Sequence, residues 1–156
     1  MRQLMEIAED ARRVKHAVAA LGTNDKNRGL LAIADALLAH ADEIIAANQI
    51  DIENGRASGL NEGLIDRLTL DSKRIAGIAE GCRQVAALPD PIGEVLWMRK
   101  TPNGLNIGEK RVPMGVIGII YEARPNVTVD AAALCFKAGS ACILRGGKEA
   151  FHSSMC

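Results

Sequence analysis

Residues 112–148, VPMGVIGIIYEARPNVTVDAAALCFKAGSACILRGGK, decide how this chain is read. After Pro113 and Gly115, the run Val116 to Tyr121 is rich in β-branched residues and contains Gly118. A polar break follows at Glu122-Ala123-Arg124-Pro125-Asn126. Helical spacing then runs from Val127 to Lys137 and is closed by Gly139. A second apolar run, Ala141 to Leu144, leads into Arg145-Gly146-Gly147-Lys148. Strand, loop, helix, glycine, strand is the order of a βαβ unit. Such a unit implies a parallel sheet with ligands at the carboxyl ends of its strands. Both polar breaks, 122–126 and 145–148, fall at such ends, so the chemistry is expected there.

Immediately upstream, the period is that of strands. Residues 94–101 and 105–112 flank Pro102-Asn103-Gly104, and Asn-Gly between strand-like runs signals a hairpin. Before it, Leu88-Pro89-Asp90-Pro91 ends a helix, because proline removes a donor and biases the residue before it. That helix carries Ile75, Ile78, Ala79, Cys82, Val85 and Ala86 on one side, with Asp71 as its cap. Residues 58–70 read as a short element broken by Gly59 and Gly63. Asn48 to Asn54 read as a further turn or two, stopped by Gly55. Leu30, Ile33, Ala34, Leu37, Ala41, Ile44 and Ile45 form one apolar face, capped at Thr23 or Asn24. Residues 4–21 form another amphipathic helix, with Gly22 expected as its left-handed stop. Downstream, residues 151–156 read as the start of a helix. Two parallel strands are few for a sheet that is normally covered on both faces. On this pattern the chain is expected to be the first part of a larger α/β protein.

The bulk properties exclude several classes. With 156 residues, 48% of them apolar and 24% charged, the chain suits one ordinary globular domain. Aromatics are 3%, so the core must be built from Ala, Leu, Ile and Val. The net charge of zero gives no general case for nucleic acid. The basic excess falls in residues 97–156, with the βαβ unit, where it suits a small anionic ligand or simply scattered surface charge. No stretch approaches the roughly 18 apolar residues of a membrane span, and residues 1–20 lack the apolar core of a signal peptide. Cys82, Cys135, Cys142 and Cys156 form no CxxC, which fits free thiols in a reducing, cytoplasmic setting.

Each candidate site residue has a plain alternative. Asn126 stands before the expected helix, where it can be an N-cap or an amide donor aimed at a developing oxyanion. Arg124 is either a solvated arginine or a fork of donors for carboxylate or phosphate. Arg145, Gly146 and Lys148 make either a glycine turn with basic flanks or a close approach for a phosphate. Neither GxGxxG nor GxxxxGK[ST] is present. The buried-looking cysteines read as structural thiols, Tyr121 and Trp97 as packing residues, and the histidines as no metal site.

The segments LTLDSKRIAGIAEG (68–81), LPDPIGEV (88–95) and RVPMGVIGIIYEARPNVTVDAAALCFKAGSACILRGGKEA (111–150) closely resemble the gamma-glutamyl phosphate reductase family. This family, also called glutamate-5-semialdehyde dehydrogenase, lies within the aldehyde dehydrogenase superfamily. The resemblance implies an α/β fold with three parts: amino-terminal helices (1–92), a β-hairpin assembly arm (93–112), and the first βαβ unit of an incomplete parallel sheet (113–156). It implies NADPH-dependent reduction of glutamyl 5-phosphate to glutamate 5-semialdehyde in proline biosynthesis, through a cysteine thioester. Asn126 then falls near the oxyanion donor, with Arg124 toward substrate and Arg145, Gly146 and Lys148 toward NADP. Full-length members are expected to be homo-oligomers of a cytoplasmic enzyme. None of the four cysteines matches the family's nucleophile. The resemblance therefore implies an amino-terminal fragment, inactive alone. A non-catalytic module that pairs with a full-length subunit is the competing expectation.

Overall fold

The computed structural model describes residues 3–156. Five helices come first: α1 (Leu4–Ala19), α2 (Thr23–Ala39), α3 (Ala41–Ala57), α4 (Glu62–Leu68) and α5 (Ser72–Ala87). The strands β1 (Val95–Lys100) and β2 (Asn106–Lys110) follow, then β3 (Val116–Ile120), α6 (Pro125–Lys137) and β4 (Ala141–Arg145). The described chain ends in a short 3-10 turn at Lys148–Ala150 and α7 (Phe151–Met155). The expected order of helices, hairpin and βαβ unit is the observed one.

The boundaries differ where local signals misled. Gly22 has φ −72°, so it is not a left-handed stop; it is the N-cap of α2. The single apolar face read from Leu30 to Ile45 is divided between α2 and α3 at His40. The break is invisible in the pattern because the His40 amide still bonds to Ala36 and the Ile44 amide to His40, which keeps the helical spacing. Helix α3 runs through Gly55, which does not stop it. A Cβ on Gly55 would lie 3.0 Å from Leu60 Cδ1 and 3.1 Å from Ile65 Cδ1, so the glycine is there for close packing. The chain turns instead at Gly59, with φ +80°. Asn61 and Asp71 cap α4 and α5, accepting from the Leu64 and Arg74 amides at 2.9 and 2.6 Å.

The core lies where α2, α5 and α6 meet. Leu30, Ala34, Ala79, Cys82, Ala86 and Ala133 are buried together, with Ile33, Leu37, Val85, Val129 and Phe136 around them. Small side chains let the helices approach closely, as the low aromatic content required. A polar cluster fixes the edge of this core. Lys26, only 1% exposed, pairs with Asp90 at 2.5 Å. Lys137, also buried, donates to Asn27 Oδ1 at 2.7 Å and to the Ala86 carbonyl at 2.9 Å. Burial alone would raise the Asp90 carboxyl. Hydrogen bonds from Lys26, the Ile92 amide and Thr23 outweigh it and hold the group below its usual range. The Leu88–Pro91 linker is thereby locked to α2.

A second polar cluster docks α7. Asp51 on α3 accepts from the amides of His152 and Ser153 at 3.0 and 2.7 Å, and from the Ser153 hydroxyl at 2.6 Å. Asn48 donates to the Leu68 carbonyl and the Ser153 hydroxyl and accepts from the Leu70 amide.

Strands β3 and β4 pair in parallel, Val116 opposite Ala141 and Ile120 opposite Arg145. Gly139, at φ +64°, turns the chain between α6 and β4, the left-handed stop that its position suggested. Ile117 and Ile119 are half-buried, whereas Ile120 is 84% exposed. Strands β1 and β2 form a separate antiparallel pair, bulged between Val95 and Trp97, and every residue in both strands is exposed.

Candidate active site

Helix α6 begins at Pro125, two residues earlier than its apolar spacing suggested. Pro125 occupies the first turn, where its missing N–H costs nothing. The N-cap is therefore Arg124, in extended conformation and without a side-chain capping bond. Asn126 is not the cap. It sits inside the first turn, and its Nδ2 donates to Asp130 Oδ2 at 3.1 Å, one turn along. One amide hydrogen remains for another acceptor, at the positive end of a helix.

Arg124 and Asn126 line one open cleft of about 400 Å3 between the start of α6 and helices α4 and α5. Arg67, Arg74 and Asp130 line it too, over a floor that includes Leu70 and Ile78. The three arginines are not equivalent. Arg74 is held: it donates to the backbone carbonyls of Asp66 and Thr69 and pairs with the Asp66 carboxylate at 2.6 Å. Arg67 and Arg124 are exposed and have no ion-pair partner among the described residues. A cleft with two unpaired guanidinium groups, an amide donor and a helix N-terminus is suited to an anion and to stabilising charge on oxygen.

The second basic loop faces elsewhere. Arg145, Gly146 and Lys148 follow β4 and do not line this cleft. Arg145 and Lys148 are exposed, with no ion pair among the described residues. A Cβ on Gly146 would lie 3.2 Å from the Tyr121 ring and hydroxyl, so this glycine admits Tyr121. A Cβ on Gly147 would lie 3.3 Å from the Ala123 amide nitrogen, so this glycine sits close to the loop after β3. The loops after β3 and β4 thus touch at the carboxyl edge of the sheet. Tyr121 also bonds to Thr128 on α6 at 2.6 Å, which ties that edge to the helix carrying Asn126.

Cys82, Cys135 and Cys142 are not activated thiols. Burial raises Cys82, and Asp130 raises it further against a smaller opposing effect of Arg83. Burial likewise raises Cys135 and Cys142, which face each other from α6 and β4. No group of His, Cys, Asp and Glu among the described residues could hold a metal. His16 and His40 lie at the surface. Trp97 does not pack in the core; it is exposed, donates to Glu109 at 2.8 Å and lies under Arg99. No described helix is long and apolar enough to cross a membrane.

Sequence reasoning missed Arg67, Arg74 and Asp130 as cleft residues. Arg67 and Arg74 lie far before Asn126 in the chain, and no local motif announces them. Asp130 could have been found, since Asn126 and Asp130 are four apart on a helix and so share a face.

No family model matches the chain. It is 56% identical over 155 residues to the gamma-glutamyl phosphate reductase of Carboxydothermus hydrogenoformans, covering 99% of this chain and 37% of that protein. The enzyme of the same name from Lachnospira eligens is 54% identical over the same length. The crystal structure of the Thermotoga maritima gamma-glutamyl phosphate reductase superposes with a TM-score of 0.95 at 42% identity, covering 99% of this chain and 37% of that one. A protein from Listeria monocytogenes described as a probable aldehyde dehydrogenase shares the fold, with a TM-score of 0.68 at 16% identity. The chain thus spans a little over a third of the length of the relatives it matches. Over nearly all of its own length it is similar to part of the gamma-glutamyl phosphate reductases.

Proposed function

We propose that this chain serves the NADPH-dependent reduction of glutamyl 5-phosphate to glutamate 5-semialdehyde, a cytoplasmic step of proline biosynthesis. The carrying observation is the cleft at the start of α6, where Asn126 keeps a free amide hydrogen beside the unpaired Arg124. In this reading residues 1–92 are the helical part of a cofactor domain, 93–112 an assembly arm, and 113–156 the first βαβ unit.

Each side chain has one task. Arg124 offers two parallel N–H donors to an anionic oxygen of the acyl phosphate, which orients the carbonyl. Asn126 donates its remaining amide hydrogen to that carbonyl oxygen as it gains charge. The bond to Asp130 fixes the amide beforehand, so no reorganisation is needed during reaction. Ile78 and Leu70 give the cleft an apolar part of its lining. The family resemblance assigns the nucleophilic thiol to none of the four cysteines, and burial pushes Cys82, Cys135 and Cys142 up, away from the thiolate that the reaction needs. Arg145 and Lys148 fit a phosphorylated dinucleotide, because both are unpaired cations at the carboxyl edge of the sheet. NADPH, when bound, supplies the hydride.

The test is a chimera in which this chain replaces the matching third of the Carboxydothermus hydrogenoformans relative. It should reduce glutamyl 5-phosphate with NADPH, and Asn126→Ala should lower kcat about 100-fold or more. An inactive but folded chimera, or one indifferent to Asn126→Ala, would refute the proposal.

A second reading has its own observation. The fully exposed hairpin displays Val95, Leu96, Trp97, Met98 and Ile107, an apolar surface of the kind that marks an interaction site. In that reading the chain is a non-catalytic module that pairs with a full-length subunit, or with itself. Light scattering after size exclusion, with and without the full-length relative, distinguishes a mixed assembly from a chain that stays alone.

A further inference from the structure

Taking the cleft as the glutamyl phosphate site, the reaction uses only one end of the ligand. The other end is an α-amino acid head, with a carboxylate and an ammonium on one carbon. Something must read that head if the site is to favour this acyl phosphate over others.

We infer that Arg67 and Asp130 hold the amino acid head, Arg67 its carboxylate and Asp130 its ammonium. Both line the same cleft as Arg124 and Asn126. Arg67 lies in the last turn of α4 and is exposed, with no ion-pair partner among the described residues. Its neighbour Arg74 shows what a structural arginine looks like here: three bonds tie it to Asp66 and Thr69. Asp130 spends Oδ2 on Asn126, and among the described residues its Oδ1 has no hydrogen bond. Arg67 and Asp130 carry opposite charges in one cleft, yet they form no salt bridge with each other. A zwitterionic head can bridge two such groups, giving each the partner it lacks. The volume of about 400 Å3 lies within the range of small-ligand sites.

The arrangement also links specificity to catalysis. The carboxylate that receives the ammonium is the one that orients the Asn126 amide. A ligand without an α-ammonium leaves a free charge beside that amide, and one without an α-carboxylate leaves Arg67 unpaired. A site built to pair with a group rejects analogues that lack it.

The experiment titrates the 156-residue chain with L-glutamate, glutarate and 4-aminobutyrate, followed by amide chemical shifts. Glutarate lacks the α-ammonium and 4-aminobutyrate lacks the α-carboxylate. L-Glutamate should bind at least tenfold more tightly than either. Arg67→Gln should abolish its advantage over 4-aminobutyrate, and Asp130→Asn its advantage over glutarate. Arg67→Lys should retain part of the first preference, which loss of fold would not allow; circular dichroism checks each variant. No binding of L-glutamate, a flat ranking of the three ligands, or preferences that survive both substitutions would overturn the inference. The titration needs neither NADPH nor turnover. An inactive chimera with intact ligand ranking therefore counts against the proposed reaction and not against this head site.

Discussion

The α2–α5–α6 block and the β1–β2 hairpin are neighbours in sequence and opposites in how they satisfy their side chains. In the block, Lys26, Asp90 and Lys137 are taken out of water and paired with one another or with backbone carbonyls. Apolar groups pack around them, and no buried side-chain polar atom among the described residues lacks a partner. In the hairpin no residue is buried, and Val95, Trp97, Met98 and Ile107 face solvent. The block carries the stability of this chain, whereas the hairpin's apolar groups gain only when another surface covers them. One composition thus yields a core and an unmatched surface, according to which residues find partners within the chain.

That contrast can be broken most decisively in the block. Lys26→Met should destabilise the chain by about 3–5 kcal/mol, because Asp90 would keep its charge with its buried partner gone. Urea unfolding of the variant measures it, and a loss under about 1 kcal/mol would mean that water already reaches the pair. A smaller effect is expected where α7 docks. Asp51→Asn should cost about 2 kcal/mol, since the donors from His152 and Ser153 lose a charged acceptor.

The same carboxylate gives a pH signature. Burial alone would raise Asp51, but the bonds from Ser153 and His152 outweigh it and lower its pKa. A lowered folded-state pKa means that the unfolded chain binds more protons near the unfolded value of about 3.9. Asp51 therefore adds stability that is complete above that value and lost as pH falls through the folded one. Unfolding curves from pH 6 down to 3 should show wild type and Asp51→Asn converging in acid. A gap that stays constant would exclude this origin. The smallest effect belongs to the hairpin. Trp97→Ala should change the stability of the isolated chain by less than about 0.5 kcal/mol, since exposed side chains away from special features contribute little. The same variant should weaken any assembly seen by light scattering. A large loss of monomer stability would show that the hairpin belongs to the core.

The site was legible in proportion to how local its causes are. Arg124 and Asn126 stood out because they lie where a helix begins after a strand, and both line one cleft. The N-cap role of Asn126 was misread because Pro125 can open a helix as readily as it can precede one. Gly146 was noticed as a glycine, but its reason is Tyr121, a contact across the loop. Arg67 had no local reason at all. Its place beside Asn126 comes from α4 packing against α3, and from α5 carrying the far wall of the cleft.

By itself the sequence determined the order of elements, the parallel pairing around α6 and the family likeness. These rest on periodicity, turn residues and motif, which act over a few residues at a time. Tertiary structure alone decided which arginine is held and which is free, that two lysines are buried, and that the hairpin's apolar side chains have no cover. Those outcomes depend on contacts between residues tens of positions apart, and charge and hydropathy along the chain do not encode who will meet whom.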